Sequence, residues 1–239
     1  YKRVLITDCK ISSQLFIAAV KDIAITQCSF ENPKEPDFLK KSYFLKNNIQ
    51  LVSFLAIKNS KTVTINKSCF KNLFRLQITN VYKLELNASS FRNCTCALTI
   101  KHNIVSSSIF YITATQFLDN LCSKQHASVY FLFEHIIGKV TDYNYYSSII
   151  IRLSRVVVKN CGSFNSGGAF SISNYVTAAK QQGINITCLI LSSSFVNNTS
   201  PYVGGAIQIS NIQYVKLKEN SFIYNRARNG GAIYAKYIN

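Results

Sequence analysis

The sequence predicts an all-β protein, a parallel β-helix of roughly ten coils built from one copied unit. Three observations predict it. Ser194-Phe195-Val196-Asn197-Asn198 running into Gly204-Gly205-Ala206-Ile207 recurs as Ser221-Phe222-Ile223-Tyr224-Asn225 running into Gly230-Gly231-Ala232-Ile233. Successive Phe marks stand 21 (Phe70 to Phe91), 26 (Phe91 to Phe117) and 27 (Phe195 to Phe222) residues apart, and self-similarity at such a period marks a stacked repeat. Finally, the runs before each mark alternate with period two, as in Ile23-Ala24-Ile25-Thr26, Thr62-Val63-Thr64-Ile65 and Val215-Lys216-Leu217, which is strand patterning. Units this short leave no room for a crossover helix, so successive strands must stack in parallel on the unit before.

Each part of the motif has a structural task. The Phe is expected to point inward and stack on the Phe of the next coil, about 4.8 Å away. Full Phe-x-x-Asn copies occur at Phe117, Phe195 and Phe222, and shortened Phe-x-Asn copies at Phe30, Phe70 and Phe91. Asn tolerates the left-handed backbone of a sharp corner and can bond the Asn above and below. Gly167-Gly168, Gly204-Gly205 and Gly230-Gly231 allow positive φ where strand meets corner, and the Ala that follows fits a crowded inside bend. The wider gaps from Phe30 to Phe70 and from Phe117 to Phe164 are each expected to hold two unmarked units.

Phe-x-x-Asn paired with Gly-Gly-Ala-Ile resembles the repeat of the chlamydial polymorphic outer membrane proteins, and similar repeats occur in large surface proteins of protozoa. The resemblance implies a right-handed parallel β-helix of the pectin-lyase type working as a displayed surface adhesin. It covers the last third of the chain well and the middle through the Phe-Asn half.

In chain order, residues 1–30 read as two coils in register, with Thr7-Asp8-Cys9 echoed by Thr26-Gln27-Cys28. Residues 31–50, with two prolines and mixed charge, read as a protruding loop. Coils resume over 51–122, lapse over 123–150 around Asp142-Tyr143-Asn144-Tyr145-Tyr146, and run on from 151 with an excursion at 174–185. Residues 1–239 therefore read as a single β-helix segment. Both ends open inside strand patterns without polar caps, which reads as a window of a longer protein. No run of 18 apolar residues offers a membrane span.

The net charge of +17 comes from 27 Lys and Arg against 10 Asp and Glu, spread through most coils. Such a surface suits acidic partners, acidic glycans among them, while nucleic acid is disfavoured because the aromatics are claimed by the core. Eight cysteines form no Cys-x-x-Cys pair, and His102, His126 and His135 fall in no ligand spacing, so no metal or cofactor is expected. Cys9 and Cys28 share a coil position, as do Cys96 and Cys122, each five residues after its Phe. Both pairs are disulfide candidates, with inward cysteine ladders as the alternative. Sequons at Asn66, Asn87, Asn93, Asn185, Asn197 and Asn198 suggest a secreted or surface glycoprotein, although Asn93 and Asn198 read as corner asparagines that a buried position would withhold from any glycan.

Catalysis on a β-helix needs clustered carboxylates. Only Glu31, Glu35 and Asp37 lie close in sequence, on the proline-containing loop, and no Gly-x-Ser-x-Gly elbow occurs. The expectation is a non-enzymatic rod segment of a large extracellular or cell-surface protein, an adhesin or a filament or coat component. Its partners would be other proteins of a surface assembly, further coils of the same chain, or acidic glycans. The alternatives are a polysaccharide lyase or hydrolase and an intracellular scaffold for acidic proteins.

Overall fold

The computed structural model describes residues 2–32, 55–104, 106–122, 127–134, 147–163, 168–175 and 184–238. It is a parallel β-helix: every described element is a strand, and every strand pairing is parallel. Three faces recur in each coil. The first face stacks Arg3–Thr7, Asp22–Thr26, the second half of Leu55–Asn66, the second half of Leu76–Asn87, Ser108–Thr113, Ser147–Ser154, Ile184–Leu191 and Tyr214–Lys218. The second face is an eight-stranded sheet running from Lys10–Ile11 through Ser29–Glu31, Cys69–Lys71, Ser90–Arg92, Gln116–Leu118, Val157–Lys159 and Ser194–Val196 to Ser221–Ile223. The third face stacks Leu15–Ala18, the first halves of the two long strands, Leu98–Asn103, Val129–Glu134, Phe170–Asn174, Ile207–Ile212 and Ile233–Ile238.

Among the described residues eight rungs stack, where roughly ten were expected, and the reason lies in the wide gaps. Phe30 pairs directly with Phe70, and Phe117 directly with Val158. Each gap is thus one coil enlarged by an insertion, not two unmarked coils. The Phe column reads Ile11, Phe30, Phe70, Phe91, Phe117, Val158, Phe195, Phe222, so Val158 holds the place that sequence spacing had given to Phe164. Phe164 and Gly167 lie outside the described residues, as do Glu35, Asp37 and most of the expected 31–50 loop, and Asp142–Tyr146.

The inward column is built by stacking like on like. Ring centroids stand 4.9 Å apart for Phe30 and Phe70, 4.5 Å for Phe70 and Phe91, 4.9 Å for Phe91 and Phe117, and 5.1 Å for Phe195 and Phe222, with planes within 14° of parallel. These distances match the strand spacing, since parallel, in-register pairing carries each ring to the height of the next rung. Around the column pack the alternate residues of the other two faces, among them Ile25, Ile65, Leu86, Ile112, Leu153 and Ile190, all buried.

Two corners bound the second face, and both follow one rule. The outward residue at the corner is left-handed, and the next residue turns inward. At the first corner the left-handed residues are Asp8, Gln27, Lys67, Ala88, Ala114, Arg155, Ser192 and Glu219, with φ between 47° and 55°. Few of these types favour that backbone, at roughly 1–2 kcal/mol each for a residue with a Cβ. The bend persists because it keeps the ladder intact: Gln27 N–H donates to the Asn66 carbonyl, Lys67 to Asn87, Ala114 to Ser154 and Arg155 to Leu191. At the second corner the left-handed residues are Asn72, Asn93, Asp119, Asn160, Asn197 and Tyr224.

The residue that turns inward carries an N–H into the core, where water cannot reach it. A side-chain oxygen on the following rung accepts it. Ser68 N–H donates to Ser89 Oγ (3.1 Å), Val156 N–H to Ser193 Oγ (3.1 Å) and Ser193 N–H to Asn220 Oδ1 (2.9 Å). At the second corner Cys94 N–H donates to Asn120 Oδ1 (2.8 Å), Cys161 N–H to Asn198 Oδ1 (2.9 Å) and Asn198 N–H to Asn225 Oδ1 (3.0 Å). The same three amides donate backward to the carbonyls of Phe91, Val158 and Phe195. Phe-x-Asn and Phe-x-x-Asn are therefore not long and short copies of one signal. The first marks the left-handed outward position, the second the inward amide clamp, and Asn197-Asn198 holds both. Where the clamp position is cysteine, Cys94 Sγ reaches the Phe70 carbonyl and Cys161 Sγ the Phe117 carbonyl, a weaker version of the same contact.

The glycine pairs divide their tasks as well. Gly204 and Gly230 have φ of 56° and 61°. Gly205 does not need positive φ. A Cβ there would run into the Gly231 carbonyl and the Arg226 backbone of the next rung, as one on Gly168 would meet Gly204 and Ala206. Ala169 and Ala206, beside them, are fully buried.

Removing one ring from the middle of the column opens a cavity that its neighbours above and below cannot close. Phe91→Ala is expected to destabilise the rod by about 3–5 kcal/mol, and Leu118→Ala on the outward side by less than about 1 kcal/mol. Urea unfolding monitored by circular dichroism checks both, and equal losses would refute the inward assignment of this column.

His102 supplies a second test. It is buried among Phe110 and Phe133, with its Nε2 2.9 Å from Ser108 Oγ and no partner on Nδ1 among the described residues. Burial pushes its pKa down from 6.5 to about 4. A depressed folded value means that the unfolded chain binds the proton first as pH falls. Stability is thus complete above about pH 6.5 and is lost progressively towards pH 4, by up to about 3 kcal/mol. His102→Gln retains a polar partner for Ser108 without titrating, so its stability is expected to vary less across that window. Identical pH profiles of urea midpoints for the two proteins would contradict the assignment.

Candidate functional surface

With the interior occupied by the ladders, chemistry available to a partner lies on outward columns. Pairing register gives their order directly. On the second face one outward column reads Glu31, Lys71, Arg92, Leu118, Lys159, Val196, Ile223. Four residues before Lys71, and four before Lys159, the left-handed positions of the first corner are Lys67 and Arg155. Lys67, Lys71, Arg92, Arg155 and Lys159 are all exposed and flank the second face on rungs three, four and six, Lys67 and Arg155 at its first corner and Lys71, Arg92 and Lys159 beside its second. Beside them run Ser29, Ser90, Gln116 and Ser194 on the face, and Asn72, Asn93, Asn160 and Asn197 at the second corner.

At the lower end of this face Glu31 sits between two lysines, 3.4 Å from Lys10 Nζ and 3.0 Å from Lys71 Nζ. The hydrogen bond and charge of Lys71, with those of Lys10 behind them, hold its carboxyl below the usual range. Glu31 is solvated, so the contact fixes orientation more than stability. Arg92, Arg155, Lys67 and Lys159 make no ion pair among the described residues. One carboxylate, Asp119, lies on this stretch, where it accepts a hydrogen bond from Asn160 Nδ2 at 2.9 Å.

On the first face a shallow, open hollow is lined by Glu85, Leu86, Asn87, Tyr111, Thr113 and Arg155. Glu85 is its one carboxylate, and it is paired with Lys83 Nζ at 2.7 Å. The remaining described acids sit apart: Asp8 and Glu219 at the first corner of opposite end rungs, Asp22 on the first face and Glu134 on the third. Among the described residues no three His, Cys, Asp or Glu side chains gather as metal ligands, and no helix is long and apolar enough to cross a membrane. His126 and His135 lie outside the described residues.

The sequons occupy contrasting settings. Asn66 and Asn87 are neighbours in the ladder, and Asn87 Nδ2 donates to Asn66 Oδ1 at 3.4 Å. Asn185 is exposed on Ile184–Leu191. Asn93 is exposed at its corner, unlike the buried position that sequence had offered for it, because it holds the left-handed outward place. Asn197 is outward too, donating to Asn160 Oδ1 at 2.9 Å. Asn198 is fully buried and both ends of its amide are engaged, so no glycan fits there in the folded rod.

Cys96 and Cys122, on rungs four and five, are joined by a disulfide with Cα atoms 4.5 Å apart. Cys9 and Cys28 remain thiols, with sulfurs 3.0 Å apart. Burial pushes the Cys94, Cys161 and Cys188 thiols up to about 12, and burial with the Cys28 contact pushes Cys9 up to about 11. Cys69 is the exposed free cysteine, on the second face between Ser29 and Ser90.

Residues 192–210 and 221–236 match the sequence profile of the Chlamydia polymorphic membrane protein repeat. The matched segments lie on adjacent rungs in one register, with Phe195 opposite Phe222 and Ile207 opposite Ile233. No curated protein and no solved structure matches the chain.

Thiolate, not thiol, reacts with alkylating reagents. Iodoacetamide at pH 8 is expected to modify Cys69 in the folded protein and to reach Cys94, Cys161 and Cys188 only after denaturation. Peptide mass mapping reads the order, and early labelling of Cys161 would show that its rung opens.

Proposed function

We propose that this chain is a non-enzymatic β-helical rod of a cell-surface or extracellular protein, holding its outward columns and corner loops to other molecules as an adhesin or coat component does. The observation that carries the reading is the pair of polymorphic membrane protein repeats on adjacent, in-register rungs. Those repeats supply the internal devices of the fold: ring column, amide clamp and close-approach glycines. A family that varies around such devices keeps a scaffold and leaves its surface free to diversify. The Cys96–Cys122 disulfide supports an oxidising compartment.

The rung of Tyr214–Lys218, Ser221–Ile223 and Ile233–Ile238 leaves Val215, Phe222 and Ile233 half-buried, and its strands pair on one side among the described residues. Carbohydrate cleavage is the weaker reading, since that chemistry asks for converging carboxylates and the hollow on the first face brings Glu85 alone.

An antibody raised against the folded rod and applied to intact cells that make the protein tests the display. Labelling without permeabilisation is expected, together with loss of the epitope when external protease is added. Labelling only after permeabilisation would overturn the reading in favour of an internal scaffold.

A further inference from the structure

We propose that the second face, flanked by Lys67 and Arg155 at its first corner and by Lys71, Arg92 and Lys159 beside its second, binds a linear anionic polysaccharide lying along the rod axis. This names a partner for the displayed surface and rests on that reading for its setting. Across rungs three to six this surface carries these five cations against two carboxylates, Asp119 at the second corner and Glu85 in the first-face hollow that Arg155 also lines. Glu85 is paired with Lys83, and Glu31, on the rung below, is held by Lys10 and Lys71. Repulsion among unpaired cations is relieved by a polyanion, and the relief is largest where they stand close in fixed positions.

Geometry favours a sugar polymer. Lys71 and Arg92 are ladder partners, and Arg92 stands two strand spacings, about 10 Å, from Lys159. A pyranose ring of an extended polysaccharide spans a length comparable with one rung, so a chain parallel to the axis presents successive sulfates or carboxylates to successive rungs. Lys67 with Lys71, and Arg155 with Lys159, repeat the same four-residue step across the second face, which places one cation on each side of the polymer at rungs three and six. Arginine contributes planar, bidentate contact to sulfate or carboxylate. The neighbouring Ser90, Gln116 and Ser194, with Asn93, Asn160 and Asn197, offer donors and acceptors to sugar hydroxyls.

Single-stranded nucleic acid fits this face less well, because its binding uses aromatic platforms for the bases. Among the described residues the exposed aromatic side chains, Phe16, Tyr82, Tyr175, Tyr202, Tyr214, Tyr224 and Tyr237, lie off the cation columns on rungs three to six.

The test uses the purified chain, heparin oligosaccharides and three proteins of confirmed thermal stability: the parent, Arg92→Gln/Arg155→Gln/Lys159→Gln, and the equally charged Lys61→Gln/Lys216→Gln/Lys236→Gln. Binding measured by calorimetry over a range of salt is expected at physiological ionic strength for the parent. The first variant should bind about tenfold or more weakly with a shallower salt dependence, and the second variant should match the parent. Equal weakening of both variants would reduce the effect to net charge and overturn the site. So would failure of the parent to bind, or tighter binding of single-stranded DNA of matched length. Because the measurement is made on purified protein, it is independent of where cells place the chain. A negative result here with positive labelling of intact cells would remove the glycan and leave the display.

Discussion

Parallel in-register pairing is the interaction on which everything else in this rod depends. Once strand follows strand at a fixed rise, each side chain is delivered to the same place one rung higher, and the interior becomes a set of columns. Flat rings tolerate that spacing because near-parallel rings whose centroids stand 4.5–5.1 Å apart stack in contact without overlap. Serine, threonine and asparagine tolerate it because each can accept from the rung before and donate to a carbonyl. The corner conformation is dictated by the same demand. A left-handed residue turns the chain while its own N–H stays in the ladder, and the residue after it then needs an acceptor inside.

The Phe column and the alternating strands were legible in the sequence because they use rare, repeated letters at strand period. The Gly-Gly-Ala elements were legible for the same reason, although their two glycines serve different ends: one a left-handed backbone, the other the passage of a neighbouring rung. The first corner was not legible. Its left-handed residues are Asp, Gln, Lys, Ala, Arg, Ser and Glu, which share no chemistry, since the ladder and not the side chain enforces the bend. Spacing misled where an insertion entered a coil, and only the pairing of Phe30 with Phe70 and of Phe117 with Val158 exposes the substitution of length for an extra rung. A signal for the inner corner did exist: Ser68, Ser89, Thr115 and Ser193 stand two residues before their ring-column positions, a small polar residue at a fixed offset.

The same logic explains why candidate surface residues were harder to find than scaffold residues. Outward columns obey no stacking rule, so Lys71, Arg92 and Lys159 look scattered along the chain, separated by 21 and 67 residues, until register sets them on one edge. Net charge alone had suggested a diffuse basic surface. The fold concentrates part of it, and gathers the hydroxyl and amide columns alongside.

The amide clamps all point one way. Asn120, Asn198 and Asn225 each close an N–H and a carbonyl belonging to the rung before their own. A rung is thus finished by its successor and leaves its own inward N–H for the next arrival. The rod has a head and a tail in the sense that a crystal growing by addition at one face does, with each completed layer serving as the template that selects the layer to come. For a chain emerging from a ribosome or through a narrow export channel with its amino end leading, that polarity matches the order in which the rungs appear. The growing tip then always offers unsatisfied donors to the segment that follows it, so correct register is enforced locally, one layer at a time, without waiting for the whole chain.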